Sequence, residues 1–179
     1  MAIQHAAALR AMELCHALSS AELDVIVAIV EPREIAAGKE IFREGDPGDG
    51  LYLLVTGEID VIKRGPSGDR SLARMAAGGV LGEMSLITGD VRSATCRAIV
   101  NSRALCLPVK GFRLLLDGGS TAALKIAAAI AELLARRLAA MNTIVLQIAD
   151  KVDPAGSTLP VLNDAELAEL HRAMQVWSF

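Results

Sequence analysis

The stretch "GGVLGEMSLITGDVRSATCRA", residues Gly78–Ala98, combines glycines, a short apolar run and an arginine. Its glycines allow the backbone to approach a ligand closely, and the apolar run predicts a short helix that begins at Glu83. Arg92 follows this helix. A helix N-terminus with free N–H groups and a nearby arginine favours an anion such as phosphate. The charge of Glu83 repels phosphate, so a bare phosphate site does not explain the pattern.

A ligand that carries both a phosphate and a sugar explains both charges. A carboxylate such as Glu83 accepts a hydrogen bond from a ribose hydroxyl, and Arg92 with the helix amides would hold the phosphate. Two structural alternatives remain open. Glu83 is also a favourable first-turn charge, and Arg92 has a candidate ion-pair partner in Asp90. The combined spacing favours the ligand site over either alternative.

Composition excludes several classes of protein. The chain has 179 residues, 53% of them hydrophobic, so a disordered chain is not expected. A net charge of −3 and 3% aromatic residues argue against a nucleic-acid-binding face. The three histidines, His5, His16 and His171, lie outside the predicted strands, and the sequence predicts neither a metal site nor a bound cofactor.

The cysteines and the hydropathy pattern predict a cytoplasmic protein. Cys15, Cys96 and Cys106 are an odd number without a CxxC pair, which is typical of free thiols in a reducing compartment. The N-terminus lacks the basic start and uncharged apolar run of a signal peptide. No apolar run of 18 residues is free of charge, so no membrane span is predicted.

Four segments are predicted along the chain. They are N-terminal helices (1–30), a β-rich domain (31–117), a long C-terminal helix (118–152), and a linker with a tail (153–179). Short alternating runs broken by glycine-rich loops make the second segment mainly β, as a sandwich or barrel. The N-terminal segment is expected to hold helices at 3–16 and 20–30, the second capped by Ser19 or Ser20.

The long helix predicts a homodimer. Its apolar stripe has nearly heptad spacing and consists of Ala127, Ile130, Leu134, Leu138, Met141, Val145 and Ile148. Packing of this stripe on the chain's own β-domain is the alternative, and the length of the stripe favours a two-helix seam. In the tail, Trp177 and Phe179 predict a docking segment, either a lid on the chain's own pocket or a ligand for a partner.

These motifs resemble the cyclic nucleotide-binding domain family, which includes the catabolite activator protein, regulatory subunits of cAMP-dependent kinase and cyclic-nucleotide-gated channels. The likeness spans about residues 18–150. It rests on a phosphate-binding cassette, here "GEMSL" followed by "RSATCRA", on "GKEIFREGDPGDGLYLLVTGEIDVI", and on an "F..LL" helix at 112–116. The resemblance implies an eight-stranded jelly-roll β-barrel flanked by N-terminal helices and a long C-terminal helix.

By this resemblance, ten residues have binding roles. Gly82 and Glu83 would hold the ribose. The cyclic phosphate would be held by Met84, Ser85, Arg92 and Ser93. The Leu81 backbone and Ala94 would line the pocket, while Asn142 and Thr143 on the long helix would lie near the base.

The function implied is that of a receptor, not an enzyme. It would bind cAMP in preference to cGMP and signal by conformational change to a separate protein effector that the sequence does not identify. Only 28 residues follow Lys151, too few for the DNA-binding module of the family's transcription factors, so a member without DNA binding is expected. The alternative is a dimerisation scaffold with a vestigial pocket.

Overall fold

The computed structural model describes residues 2–65 and 68–152 of the chain, which divides into two compact units, Met1–Glu132 and Leu133–Phe179. Five α-helices are present among the described residues: α1 (Ala2–Arg10), α2 (Ser20–Val27), α3 (Glu83–Thr88), α4 (Val109–Asp117) and α5 (Thr121–Val152). The fold is mixed helix and strand. This corrects the mainly-β prediction, because α5 alone has 32 residues, many more than the longest strand.

Eight strands lie between Glu31 and Pro108. They are β1 (Glu31–Ile35), β2 (Glu40–Phe42), β3 (Gly50–Thr56), β4 (Glu58–Gly65), β5 (Gly68–Ala76), β6 (Val80–Leu81), β7 (Thr95–Ala98) and β8 (Ser102–Pro108). The predicted number of strands is therefore confirmed.

The strands form two antiparallel sheets and not the closed barrel that was predicted. The strand orders are β1-β8-β3-β6 and β2-β7-β4-β5. Within the described part of the chain, β1 pairs only with β8 and β5 only with β4. Each sheet therefore keeps two edge strands. The edge strands β2 and β6 have only three and two residues. They therefore offer few backbone hydrogen-bonding groups that could join the two sheets.

An apolar core joins the sheets. Its buried members come from six of the eight strands: Ile35, Tyr52, Leu54, Ile59, Leu81, Cys96, Ala98, Ala104 and Cys106. The alternate residues of β3, Leu51 and Leu53, point to the opposite face and are buried too. The helices of the first unit supply further buried apolar side chains, among them Phe112 and Ile126. Strand β3, buried on both faces, gives the site a rigid support.

The N-terminal helices differ in part from the prediction. The helix expected over 3–16 ends at Arg10, and a 3₁₀ turn occupies Glu13–Cys15. Met12 has an extended backbone (φ −84°, ψ 130°), which interrupts the helix and brings Leu14 into the core. The second helix begins as predicted, because the Ser19 side chain and Glu22 form a capping box.

Glu22 also ties α2 to α5. Its carboxylate accepts a hydrogen bond from Lys125 Nζ at 2.8 Å. This hydrogen bond is the main cause that lowers the pKa of Glu22 to about 2, with the Ser19 backbone N–H next. Lys125 lies in the second turn of α5, so the ion pair fixes the start of the long helix within the first unit.

The apolar stripe of α5 is divided between two environments. Ile130 is fully buried, which corrects its assignment to an open dimer seam, because it is unavailable to a second chain. Further along, Leu138 and Met141 are exposed, Met141 to 60%. The predicted tail, residues 153–179 with Trp177 and Phe179, lies outside the described residues.

The cysteine side chains can be compared with the prediction of free thiols. All three cysteines are free thiols, as predicted, and all are buried. Burial raises the pKa of Cys15 to about 11 and that of Cys96 to about 12.

Among the described helices, none is by itself long and apolar enough to cross a membrane. Only α4 taken together with Thr121–Thr143, across a 116° bend, meets that criterion.

Candidate ligand-binding site

The short helix α3 lies at the centre of the candidate site and begins at Glu83, as the sequence predicts. Gly82 precedes it with φ 76°, a left-handed conformation that suits glycine, and Gly89 ends it with φ 78°. Two left-handed glycines thus limit the helix to six residues. Glu83 and Ser85 are buried, whereas Met84 is exposed. The helix therefore turns its first carboxylate inward.

Arg92 lies beneath the start of α3, and its side chain is only 1% exposed. The guanidinium carbon lies 4.0 Å from the centre of the Phe42 ring and 5.7 Å from that of Tyr52. Both distances suit a cation–π contact. Two aromatic rings therefore form one wall around a buried positive charge.

Hydrogen bonds hold the Arg92 guanidinium against the cassette. Nη1 donates to Gly82 O and to Ser85 Oγ, both at 3.2 Å. Nη2 donates to Gly50 O at 2.7 Å and to the Asp49 carboxylate. The remaining donor, Nε–H, has no hydrogen-bond partner among the described residues although it is buried. A buried donor that lacks an acceptor costs stability, so this N–H favours an acceptor supplied from outside.

Asp49 places a negative charge against Arg92. Its side chain is 62% exposed, and it accepts a second hydrogen bond from the Tyr52 hydroxyl at 2.7 Å. Burial, and then this hydrogen bond, raise the pKa of Tyr52, so the hydroxyl keeps the proton that it donates. An incoming anion would compete with Asp49 for the Arg92 guanidinium. Because the Asp49 carboxylate is exposed, water can solvate it once it is released.

Sequence reasoning missed Asp49 and the two aromatic residues. Asp49 stands in the stretch "EGDPGDG", whose glycines and proline indicate a loop but no binding role. The proposed alternative partner for Arg92 was Asp90, whereas the structure pairs Arg92 with Asp49, 43 residues earlier in the chain. The only available signal was the repeated Gly-Asp in that loop, and its pairing depends on tertiary structure.

The structure brings the predicted ribose and phosphate residues together. Arg92 contacts Gly82 and Ser85, and Ser93 Oγ lies 3.7 Å from Met84 Sδ. The Leu81 side chain lies in the core, which leaves its backbone for the predicted pocket role. Ala94 is buried beside the arginine segment. The ligand contacts of these residues stay predictions.

The two predicted base-contacting residues lie in the second unit, on α5. Asn142 and Thr143 are exposed, and the Thr143 hydroxyl donates to Ala139 O at 3.2 Å, a common contact for a threonine within a helix. Their contact with a base stays a prediction.

The candidate site thus combines a buried cation, aromatic walls and a glycine-bounded helix start on a two-sheet frame. Residues 32–118 match the family model described as the cyclic nucleotide-binding domain. These residues, and not the chain as a whole, are assigned to that domain family.

Two curated proteins with different printed names are similar to this chain. The chain is 35% identical over 95 residues to the cyclic AMP receptor protein of Thermus thermophilus. The aligned region covers 52% of this chain and 44% of that protein. It is 36% identical over 129 residues to Glutaminase 1 of Bradyrhizobium diazoefficiens, covering 72% and 20%. The chain thus spans less than half the length of these curated relatives.

A solved structure shows the same fold. The crystal structure of a cyclic nucleotide-binding domain from Methylobacillus flagellatus superposes with a TM-score of 0.71 at 28% identity, covering 82% of this chain and 83% of that one. This likeness extends over most of both chains.

Proposed function

We propose that this protein is a receptor for a cyclic nucleotide, with cAMP preferred over cGMP, and that it signals by conformational change to a separate protein effector. The observation that carries the proposal is Arg92: a guanidinium 1% exposed, beneath a helix start, with a buried N–H that lacks a partner among the described residues. A cyclic phosphate supplies both a negative charge and acceptor oxygens for such a group.

For the neighbouring residues we propose the roles that the family resemblance implies. Glu83 and the Gly82 backbone would hold the ribose, because Glu83 is turned inward at the start of α3. Backbone N–H groups at Met84 and Ser85 belong to the first turn, which has no intrahelical acceptors for them. Together with Arg92 and Ser93 they would surround the phosphate. Binding, and no chemical reaction, is the proposed activity.

Two broader features support the proposed fold and the proposed compartment. Eight antiparallel strands in two four-stranded sheets support the jelly roll that the family resemblance implies. The three buried free thiols support a reducing cytoplasm as the compartment. No bound cofactor or metal is proposed, and neither is DNA binding.

The proposal is tested by thermal melts of the purified protein with cAMP and with cGMP. A ligand at a hundred times its Kd stabilises the folded state by about 2.7 kcal/mol, so the melting temperature is expected to rise, and more with cAMP than with cGMP at equal concentration. A larger rise with cGMP would reverse the proposed selectivity. An unchanged melting temperature with millimolar concentrations of both would favour the dimerisation scaffold with a vestigial pocket.

We also propose a homodimer through the exposed part of α5, where Leu138 and Met141 present apolar side chains to solvent. Light scattering is expected to give about twice the 18.8 kDa mass of the chain. Leu138→Glu combined with Met141→Glu is expected to give monomers, because two charges would be buried in the seam. Ala140→Glu, an exposed position on another side of the same turns, is the control and is expected to stay dimeric. A monomeric wild-type protein would contradict the proposal.

A further inference from the structure

Lys63, on β4, joins the segment that follows Arg92 to a second part of the chain. Its Nζ donates to Glu44 Oε1 at 2.8 Å and to the backbone carbonyl of Ser93 at 2.7 Å. Lys63 is 45% exposed and Glu44 26%, so the pair is only partly open to solvent. The lysine therefore bridges a carboxylate and a carbonyl that belong to two different loops.

Glu44 is itself tied to two strands. Its second carboxylate oxygen accepts the Arg64 backbone N–H at 3.0 Å, and its own N–H donates to Thr95 Oγ1 at 3.0 Å. The hydrogen bond from Lys63, and then that from Arg64, lower the pKa of Glu44, so the carboxylate is ionised at neutral pH. The Lys63–Glu44 pair is thus a fixed junction between β4, β7 and the loop that holds Glu44.

The same loop holds the backbone of Arg92. Gly45 N–H donates to Arg92 O at 2.9 Å, and Arg92 N–H donates to Asp46 O at 2.8 Å. Lys63 then fixes the next carbonyl, that of Ser93. Because a peptide group is planar, a fixed Ser93 carbonyl also fixes the N–H of Ala94. Three successive residues of the candidate phosphate segment are therefore oriented by one network.

We infer that Lys63 and Glu44 are positioning residues for the cyclic-nucleotide site, which set the geometry of the Arg92–Ala94 segment without contacting the ligand. This inference rests on the proposed function. The competing role for Lys63 is direct electrostatic attraction of the phosphate. The two roles differ in what they predict for Glu44: as a positioning residue it supports binding, whereas as a simple negative charge it opposes the binding of an anion.

The test is calorimetric titration of cAMP into wild-type protein and five variants. Lys63→Met keeps the aliphatic stem and is expected to weaken binding about tenfold, because one charge-assisted junction is lost. Glu44→Ala is expected to weaken binding by a similar factor. Since the two residues act as a unit, the double variant is expected to lose about tenfold and not about a hundredfold. Lys63→Arg, which can reach both acceptors, is expected to restore binding to within about threefold.

Lys110→Met is the matched control, since it removes an exposed lysine from α4, and it is expected to bind like the wild type. Melting temperatures without ligand show that each variant is folded. Tighter binding by Glu44→Ala, or unchanged binding by Lys63→Met, would overturn the inference while wild-type binding still upholds the proposed function. Wild-type protein that binds neither cAMP nor cGMP would overturn the proposed function, and this inference with it.

Discussion

Replacing Arg92 with alanine is expected to lower the free energy of unfolding by about 3 kcal/mol and to weaken cyclic-nucleotide binding about a hundredfold. The loss of stability arises because the side chain is buried and donates to Gly82 O, Gly50 O and Ser85 Oγ, which would be left without this donor. For a chain of this length, the melting temperature is expected to fall by roughly 10 °C. Denaturant unfolding and calorimetric titration with cAMP measure the two effects.

Arg97→Ala is the matched control. Arg97, on β7, is 44% exposed and pairs with Glu40 at 2.9 Å, and an exposed ion pair contributes less than about 1 kcal/mol. Its removal is therefore expected to leave cAMP affinity unchanged. Equal unfolding free energies and equal affinities for the two arginine variants would contradict the assignment of Arg92 as a buried structural and binding residue.

Replacing Gly82 with alanine is expected to cost about 3 kcal/mol of stability and to abolish measurable binding. Its φ of 76° is unfavourable for alanine by about 1–2 kcal/mol. A Cβ at this position would also lie 2.1 Å from Arg92 Nη1 and 3.2 Å from Gly50 O, so the guanidinium would have to move. Chemical denaturation and titration with cAMP measure both consequences.

Gly38→Ala separates backbone strain from the clash. Gly38 has φ 77°, almost the same as Gly82, but a Cβ there would meet nothing within 4 Å. Gly38→Ala is expected to lose only the strain energy and to keep cAMP affinity. If both glycine variants lose stability and affinity equally, the close approach of Gly82 to Arg92 has no role.

Local features of the fold were predictable from the sequence. Two helix starts agree with the structure: that of α3 at Glu83 and that of α2, capped by Ser19. Each depends on signals within a few residues, which are a glycine before a helix and a serine three residues before a glutamate. The family resemblance also implies that Gly82, Ser85 and Arg92 share one site, and the structure places Arg92 in contact with both of the others.

Long-range features were not predictable. The pairing of Arg92 with Asp49, and that of Lys63 with Glu44, join residues 43 and 19 positions apart. Such pairs depend on sheet order and register, which hydrophobic periodicity does not specify. The burial of Ile130 is similar: heptad spacing places it on one helix face but does not say whether that face packs on its own chain or on another. The separation into two sheets likewise depends on which edges pair.

Calorimetric titration of cAMP into the wild-type protein, with Arg92→Ala measured in parallel, tests the central claim most directly. We predict that the wild type gives a saturable binding heat with one site per chain. The affinity of the variant for cAMP is expected to be at least about a hundredfold lower. The absence of binding heat with millimolar cAMP and cGMP, or equal affinities of the wild type and Arg92→Ala, would contradict the account.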